Sequence, residues 1–208
     1  MPVRIFIAIA AGVVTSCASA NVLFNGAFEL QPNFGSGIGG NAGFSLLTGS
    51  QIPGWTITAG HGATVHNTLL YPTISGNYSV NMDAEGYNGV NASIYQDFAS
   101  INGGAGILEF DWQGWQANPQ PRLHVSLVDT TTQAIVLEQS YAFDAALHHE
   151  LLTFVGTGNT LRLLVQESPQ SGGNDNCFMV DNFSVTVPVP STGLLLGLGG
   201  LVVARRKR

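Results

Sequence analysis

The sequence of 208 residues predicts an all-β fold, a jelly-roll β-sandwich with an N-terminal signal helix and a short apolar helix at the C-terminus. Short segments in which apolar and polar residues alternate recur along the chain, and this period of two is typical of half-buried strands. Turns rich in glycine, asparagine and proline separate these segments. Between the two ends no segment has the period of a helix, so the strands must bury their apolar faces against other strands.

The first 20 residues have the organisation of a secretory signal peptide. A positive charge precedes the apolar stretch 5–14, and residues 18–20 form a small-x-small cleavage site. We therefore expect cleavage after Ala20. A second interpretation stays open, because residues 14–17 loosely resemble a lipoprotein signal in which Cys17 would become the lipidated first residue.

Residues 21–187 form the predicted domain, which is long enough for one core and too short for two comfortable ones. This segment contains all thirteen acidic residues of the chain but only two arginines, so its formal charge is −11. Such a surface repels nucleic acid and anionic lipid, which excludes nucleic acid as a partner. It attracts divalent cations and tolerates neutral, hydroxyl-rich ligands.

Nine segments of this domain have the pattern of strands, and each of the clearest places its apolar side chains on one face. The glycine-rich stretch 34–47 is predicted to be a long loop, and residues 148–150, His-His-Glu, an exposed turn. In chain order the nine predicted strands are 55–58, 79–82, 93–98, 108–112, 123–127, 135–139, 151–155, 161–165 and 178–187.

The last 21 residues combine a proline pair, a short apolar stretch and a basic end. Pro188 and Pro190 come first. The apolar run 193–204 would be about 18 Å long as a helix, which is shorter than the ~30 Å hydrocarbon core of a bilayer. Four positive charges close the chain and favour a cytoplasmic position for its end: Arg205, Arg206, Lys207 and Arg208.

This order of features resembles the PEP-CTERM sorting signal, which the membrane transpeptidase exosortase recognises in Gram-negative bacteria. The resemblance covers residues 188–208, and Val189 stands where the family usually has glutamate. It implies export by the secretion machinery, transient anchoring in the inner membrane through the C-terminal helix, and processing by exosortase. The domain would then reside at the cell surface or in the extracellular matrix. The alternative is an uncleaved C-terminal tail anchor.

Four short motifs span nearly all of the predicted domain: Asn-Gly-Ala-Phe-Glu at 25–29, Ile-Pro-Gly-Trp at 52–55, Gly-Asn-Tyr-Ser-Val at 76–80 and Val-Asp-Asn-Phe-Ser-Val at 180–185. Their order is similar to that of the galactose-binding-like jelly rolls of carbohydrate-binding modules. In similar modules a glutamate after the first strand and an aspartate in the last strand help to bind a structural calcium ion, which implies Glu29 and Asp181 here. Alternatively, both carboxylates accept hydrogen bonds from backbone or asparagine groups where the first and last strands pair.

A sugar site needs an aromatic plane for the pyranose ring and polar side chains for its hydroxyls. We predict Trp115 as the stacking residue, with Tyr87 as the next choice. Trp55 and Trp112 are expected in the core. Alternation predicts that the other candidates point outward and form a polar face on one sheet, although an ordinary solvated face fits the same pattern: Glu109, Asp111, Arg122, His124 and Arg162.

Two common motifs of enzyme chemistry, the Gly-x-Ser-x-Gly elbow and His-Glu-x-x-His, do not occur in the sequence. We therefore expect an exported, exosortase-sorted, non-catalytic protein of the cell surface or matrix that binds exopolysaccharide, as in a biofilm. Structural calcium is the one candidate cofactor. Two alternatives stay open: a structural surface protein with no small ligand, and a hydrolase with an unrecognised site.

Overall fold

Two β-sheets make up the computed structural model, which describes residues 19–30, 44–59, 62–68, 72–82, 92–115, 122–167 and 177–188. Residues Ala20–Pro188 form one compact unit. Within the described residues the strands are β1 (Ser19–Asn21), β2 (Phe44–Leu47), β3 (Thr56–Ala59), β4 (Ala63–Asn67), β5 (Tyr78–Asn81), β6 (Ser93–Ala99), β7 (Ala105–Trp115), β8 (Arg122–Asp129), β9 (Ile135–Ala142), β10 (His148–Val155), β11 (Thr160–Glu167) and β12 (Cys177–Pro188).

The first sheet has the strand order β10-β7-β12-β5-β4-β2, with β1 paired to β12, and the second has the order β3-β6-β11-β8-β9. We call them sheet 1 and sheet 2. They form an antiparallel two-sheet sandwich, which confirms the all-β prediction. The two predicted terminal helices lie outside the described residues. Among those residues no helix is long and apolar enough to cross a membrane.

The core lies between the inner faces of the two sheets. Alternate residues of β7 in sheet 1 and of β8 and β11 in sheet 2 are buried, as the period of two predicts. Trp55 and Trp112, which the sequence placed in the core, are 1% and 3% exposed. Trp55 packs between Phe28 and Phe183, with ring centroids 5.3 and 5.4 Å away.

Two local predictions were wrong. Residues 44–47, predicted as part of a loop, form β2 and pair with β4, a strand that no pattern predicted. Four of the five residues of β4 are buried, so its sequence has no alternation to detect. Residues 148–150, predicted as an exposed turn, begin β10 and pair with β7. They are polar because they lie on an edge strand, where one side of the backbone has no partner strand in sheet 1.

A β-bulge interrupts β12 where the candidate site lies. Its register against β7 shifts between Asp181 and Ser184. Asn182 lies at this shift with φ of 54°, a left-handed conformation that asparagine tolerates better than most residues. Asp181 faces Ser79, whereas Phe183 stacks on Phe110 in the core. Because of the bulge, both side chains are buried although they lie only two residues apart.

Candidate functional site

The outer face of sheet 1 carries four of the candidate residues, Glu109, Asp111, Trp115 and Asp181. Directly paired residues of antiparallel strands share a face. The register pairs His149 with Asp111 and Asp111 with Asp181, across three neighbouring strands. We call this surface the polar face. Its hydrogen-bonding side chains include five that are fully buried, Thr64, His66, Ser79, Asn81 and Asp181, and six others, Glu109, Asp111, Gln113, Trp115, His149 and Ser184.

Hydrogen bonds link one edge of the polar face to its middle. His149 Nδ1 lies 2.6 Å from Asp111 Oδ1, and this contact raises the pKa of His149. Asn182 Nδ2 donates to Asp111 Oδ2 at 2.7 Å. Ser75 Oγ donates to Asn182 Oδ1 at 3.1 Å. Asp111 is therefore held from both sides, and its side chain is 17% exposed while that of His149 is 64% exposed.

Asp181 is fully buried in the middle of the polar face. Its Oδ2 accepts hydrogen bonds from Ser79 Oγ at 2.8 Å and from the backbone N–H of Ser75 at 3.2 Å, and its Oδ1 accepts from the N–H of Asn182 at 2.7 Å. Burial raises the pKa of Asp181 to about 7, although these hydrogen bonds oppose the rise. The carboxylate is thus satisfied by neutral donors, and no ion pair among the described residues includes it.

Glu29 binds the same turn as Asp181, from a more exposed position. Its Oε1 accepts hydrogen bonds from the N–H of Asn77 at 2.7 Å and of Tyr78 at 3.2 Å, and its Oε2 accepts from Asn77 Nδ2 at 3.0 Å. The two carboxylates predicted to bind calcium therefore both hold residues 75–79. Backbone and asparagine donors were the predicted alternative, but here they belong to the turn before β5 rather than to paired first and last strands.

The oxygen atoms around this turn fit a hard cation in type, since Glu29, Asp181, Ser75 and Ser79 all present oxygen. A divalent cation would also offset the buried charge of Asp181. However, no group of three or more metal-binding side chains occurs in the part of the chain that the structure describes. Calcium at Glu29 and Asp181 stays a prediction.

Trp115 is the last residue of β7 and lies at one end of the polar face, half-buried. Its ring meets the buried ring of His66 edge-on, with the centroids 5.9 Å apart. His66 Nε2 in turn lies 3.1 Å from Asn81 Nδ2. Trp115, Asp111 and Glu109 therefore share the outer face of β7, as the sequence analysis grouped them, although Glu109 lies six residues along the strand from Trp115. Its role in stacking stays a prediction, and Tyr87 lies outside the described residues.

The other three candidates lie on the opposite side of the sandwich, so the prediction of one shared polar face was wrong. Arg122, His124 and Arg162 are on the outer face of sheet 2. Arg162 donates to both carboxylate oxygens of Asp97, at 2.8 and 2.9 Å, and its guanidinium stacks 3.7 Å from the ring centroid of Tyr95. Alternation separates inward from outward residues, but it does not tell which of two sheets a strand joins.

Sequence reasoning missed three residues that shape the site. Asn182 and Ser75 connect Asp111 to Asp181, and His149 pairs with Asp111. The Val-Asp-Asn-Phe motif contains Asn182, but its left-handed backbone has no signature in the sequence. His149 was considered only as part of the predicted turn at 148–150, whereas the structure places it in β10, on the exposed face with Leu151 and Thr153.

Glu29 lines two cavities. The smaller, about 310 Å³, is lined by Glu29, Asn67, Thr68, Asn77 and Tyr78. The larger, about 430 Å³, lies beside the bulge of β12 and contains three asparagines, so we call it the asparagine pocket. Its lining residues are Asn21, Leu23, Asn25, Gly26, Ala27, Glu29, Leu30, Asn182, Phe183 and Ser184.

The C-terminal region has a match to a known family. Residues 186–208 match the model of the PEP-CTERM protein-sorting motif. The chain carries a PEP-CTERM sorting signal. This match confirms the resemblance of the proline pair and basic end, and it implies export and sorting by exosortase to the cell surface. The matched range begins at Thr186, inside β12.

Solved structures with a similar fold are mostly carbohydrate-binding modules. TmCBM61, solved in complex with β-1,4-galactotriose, is 12% identical, with a TM-score of 0.55 over 80% of this chain and 97% of that one. A CBM4 module is 10% identical, with a TM-score of 0.47 over 79% and 99% of the two chains. The cellulose-binding domain from Cellulomonas fimi β-1,4-glucanase C is 12% identical, with a TM-score of 0.42 over 74% and 99%. No curated protein matches the chain in sequence. At this identity the likeness to TmCBM61 establishes the β-sandwich fold alone.

Proposed function

We propose that this protein is a non-catalytic component of the surface or extracellular matrix of a Gram-negative bacterium, and that its jelly-roll domain binds polysaccharide through the polar face. The single observation behind this proposal is the composition of that face. The accessible part of this face combines the hydrogen-bonded side chains of Asp111 and His149 with an aromatic side chain, Trp115, at one end. Exopolysaccharide of a biofilm is the partner that fits an exported domain of this kind.

The chemistry of the polar face suits a neutral sugar chain. Pyranose rings pack their C–H faces on aromatic planes, and their hydroxyls need both donors and acceptors in fixed positions. Asp111 offers fixed acceptors because His149 and Asn182 hold it from two sides. The domain's formal charge of −11 opposes binding of uronate-rich or sulfated polymers. The proposed ligand is therefore a neutral polysaccharide.

A glycan array tests this proposal with the full-length chain, kept in a detergent that has no sugar headgroup. We expect binding to at least one neutral glycan, and loss of that binding in Trp115→Ala with an unchanged melting temperature. Tyr95→Ala is the matched control, because it removes an aromatic ring from the outer face of sheet 2. Absence of binding to every glycan would refute the proposal.

A structural surface protein without a small ligand is the second candidate. The observation in its favour is that Asp111 and Asp181 are already satisfied by protein donors, so the polar face needs no ligand to be stable. In this case Trp115 serves packing against His66. The array separates the two candidates, because a structural role predicts that Trp115→Ala lowers the melting temperature and that no glycan binds.

We also propose that calcium binds at the turn held by Glu29 and Asp181, where four side chains present oxygen. Calorimetry of the full-length chain in calcium chloride and in chelator measures it. We expect a higher melting temperature with calcium, and no such difference in Glu29→Gln. Equal melting temperatures in both buffers would exclude the site.

A further inference from the structure

We propose that the asparagine pocket is a second carbohydrate site, which takes one neutral pyranose unit at the bulge of β12. This inference rests on the proposed function only for the class of ligand. The site itself differs from the Trp115 end of the polar face. Ser184 is opposite Glu109 in the register of β12 and β7, six residues along β7 from Trp115, which corresponds to about 20 Å.

The pocket is largely open to solvent and has the volume of a small-molecule site. Its volume of about 430 Å³ lies within the range of ligand pockets. Leu23 and Phe183, 8% and 2% exposed, give it an apolar base. Leu30 is 53% exposed and lines the pocket as well, so it offers apolar surface to the C–H face of a sugar ring.

The polar groups of the pocket are fixed in position before any ligand arrives. Asn25 Nδ2 donates to the carbonyls of Leu30 and Pro53, and its Oδ1 accepts from the N–H of Leu30. Asn21 Oδ1 accepts from the N–H of Leu23 at 3.0 Å and of Val185 at 3.1 Å. Because these amides are held by the backbone, a ligand would not have to order them.

Hydrogen-bonding capacity remains on the side chains that line the pocket. Within the described residues no hydrogen bond uses Asn21 Nδ2 or Ser184 Oγ, whereas Asn21 Oδ1 accepts two hydrogen bonds. Glu29 Oε2 accepts a single hydrogen bond and has room for another. The pocket therefore offers two amide N–H donors, a hydroxyl and a carboxylate acceptor, which is the mixture that vicinal hydroxyls require.

The charge of the pocket sets the class of ligand. Among the described lining residues Glu29 has the one ionisable side chain, so in the full-length chain the pocket is acidic and disfavours uronic acids and phosphosugars. The backbone adds a separate indication. Two of its lining residues, Asn25 and Asn182, have a positive φ of 54°. Such strained conformations concentrate at binding sites, where the surrounding structure holds them.

Nuclear magnetic resonance of the full-length chain, in a detergent without a sugar headgroup, tests the proposal. Methyl pyranosides of neutral sugars are added in chelator, and the side-chain amide signals of Asn21 are followed. We expect these signals to shift with a neutral glycoside and not with the corresponding glucuronide. A shift with calcium chloride but with none of the glycosides would overturn the proposal, because the pocket would then take a cation.

Two variants sharpen the result. Asn21→Asp keeps an oxygen acceptor for the N–H groups of Leu23 and Val185 but loses the Nδ2 donors, so its binding is followed through the backbone amide signal of Leu23. Ser184→Ala loses the hydroxyl. Each should weaken glycoside binding roughly three- to tenfold, the value of a hydrogen bond. Asn102→Asp in an exposed turn and Ser126→Ala on sheet 2 are matched controls and should bind as the unmodified chain does.

Trp115→Ala distinguishes this proposal from the previous one. Glycoside binding in the pocket should persist in this variant, even if polysaccharide binding at the Trp115 end is lost or never existed. Loss of the Asn21 shifts in Trp115→Ala, with folding intact, would mean that the pocket is not a separate site. That result would overturn the inference.

Discussion

The outer faces of the two sheets handle charge in different ways. On sheet 2, Asp97 is paired with Arg162 in a half-exposed ion pair with two parallel hydrogen bonds, and the arginine stacks on Tyr95. On sheet 1, Asp181 is fully buried, and neutral hydroxyl and amide groups satisfy it. The first arrangement is complete in itself. The second leaves a buried carboxyl group whose charge depends on pH and on any cation bound beside it. The stability of sheet 1 should therefore respond to pH more than that of sheet 2.

The largest expected effect of this difference is on stability. Asp181→Ala leaves Ser79, Ser75 and the Asn182 N–H without their acceptor, so we expect a loss of about 2–4 kcal/mol in the free energy of unfolding. Asp97→Ala on sheet 2 should cost only about 0–1 kcal/mol, because exposed ion pairs contribute little. Denaturant unfolding of both variants measures the contrast. Equal losses would show that the two faces do not differ in this way.

The position of Asp181 also shows where sequence reasoning ends. The alternation in 108–112, 123–127 and 161–165 predicted those strands and their buried residues, because burial of one face is a local property of the sequence. The strand β4 was not predicted because both of its faces are buried, so its sequence does not alternate. The burial of Asp181 depends on a bulge and on Ser75, more than 100 residues away, so no local pattern records it.

The assignment of residues to faces failed for a related reason. Glu109 and Arg162 both alternate with apolar neighbours, so each was correctly placed outside the core. Which sheet each strand joins is decided by long-range pairing, and β7 pairs with β10 and β12 while β11 pairs with β6 and β8. The predicted polar face was therefore divided, and three of its five residues lie on sheet 2. The fold class could be predicted from the sequence, but the grouping of site residues could not.

The second expected effect is a pH dependence that comes from sheet 1. The pKa of Asp181 is raised to about 7 and that of His149 is also raised, so the folded state binds protons more tightly than the unfolded state at both groups. Their stabilising contribution is complete below the unfolded pKa of each group and disappears as pH rises through the folded one. The melting temperature should thus fall by a few degrees between about pH 5 and pH 8.

Calorimetry at a series of pH values checks this slope, and Asp181→Asn supplies the control. The amide keeps the shape of the side chain without its charge, so the fall in melting temperature should be smaller in this variant. Below about pH 4 the trend should reverse, because hydrogen bonds lower the pKa of Asp129 and Asp144, and the stability that they contribute is lost on protonation. A slope that is unchanged in Asp181→Asn would assign the effect to other groups.

The smallest expected effect belongs to sheet 2 and concerns the geometry of its ion pair. Arg162→Lys keeps the positive charge, but it removes the paired hydrogen bonds to Asp97 and the planar stack on Tyr95. We expect a loss of about 0.5 kcal/mol in the free energy of unfolding, which shrinks further in high salt because the pair is exposed. Unfolding in low and high salt measures it. A loss above about 2 kcal/mol would show that the Arg162–Asp97 pair stabilises sheet 2 as strongly as Asp181 stabilises sheet 1.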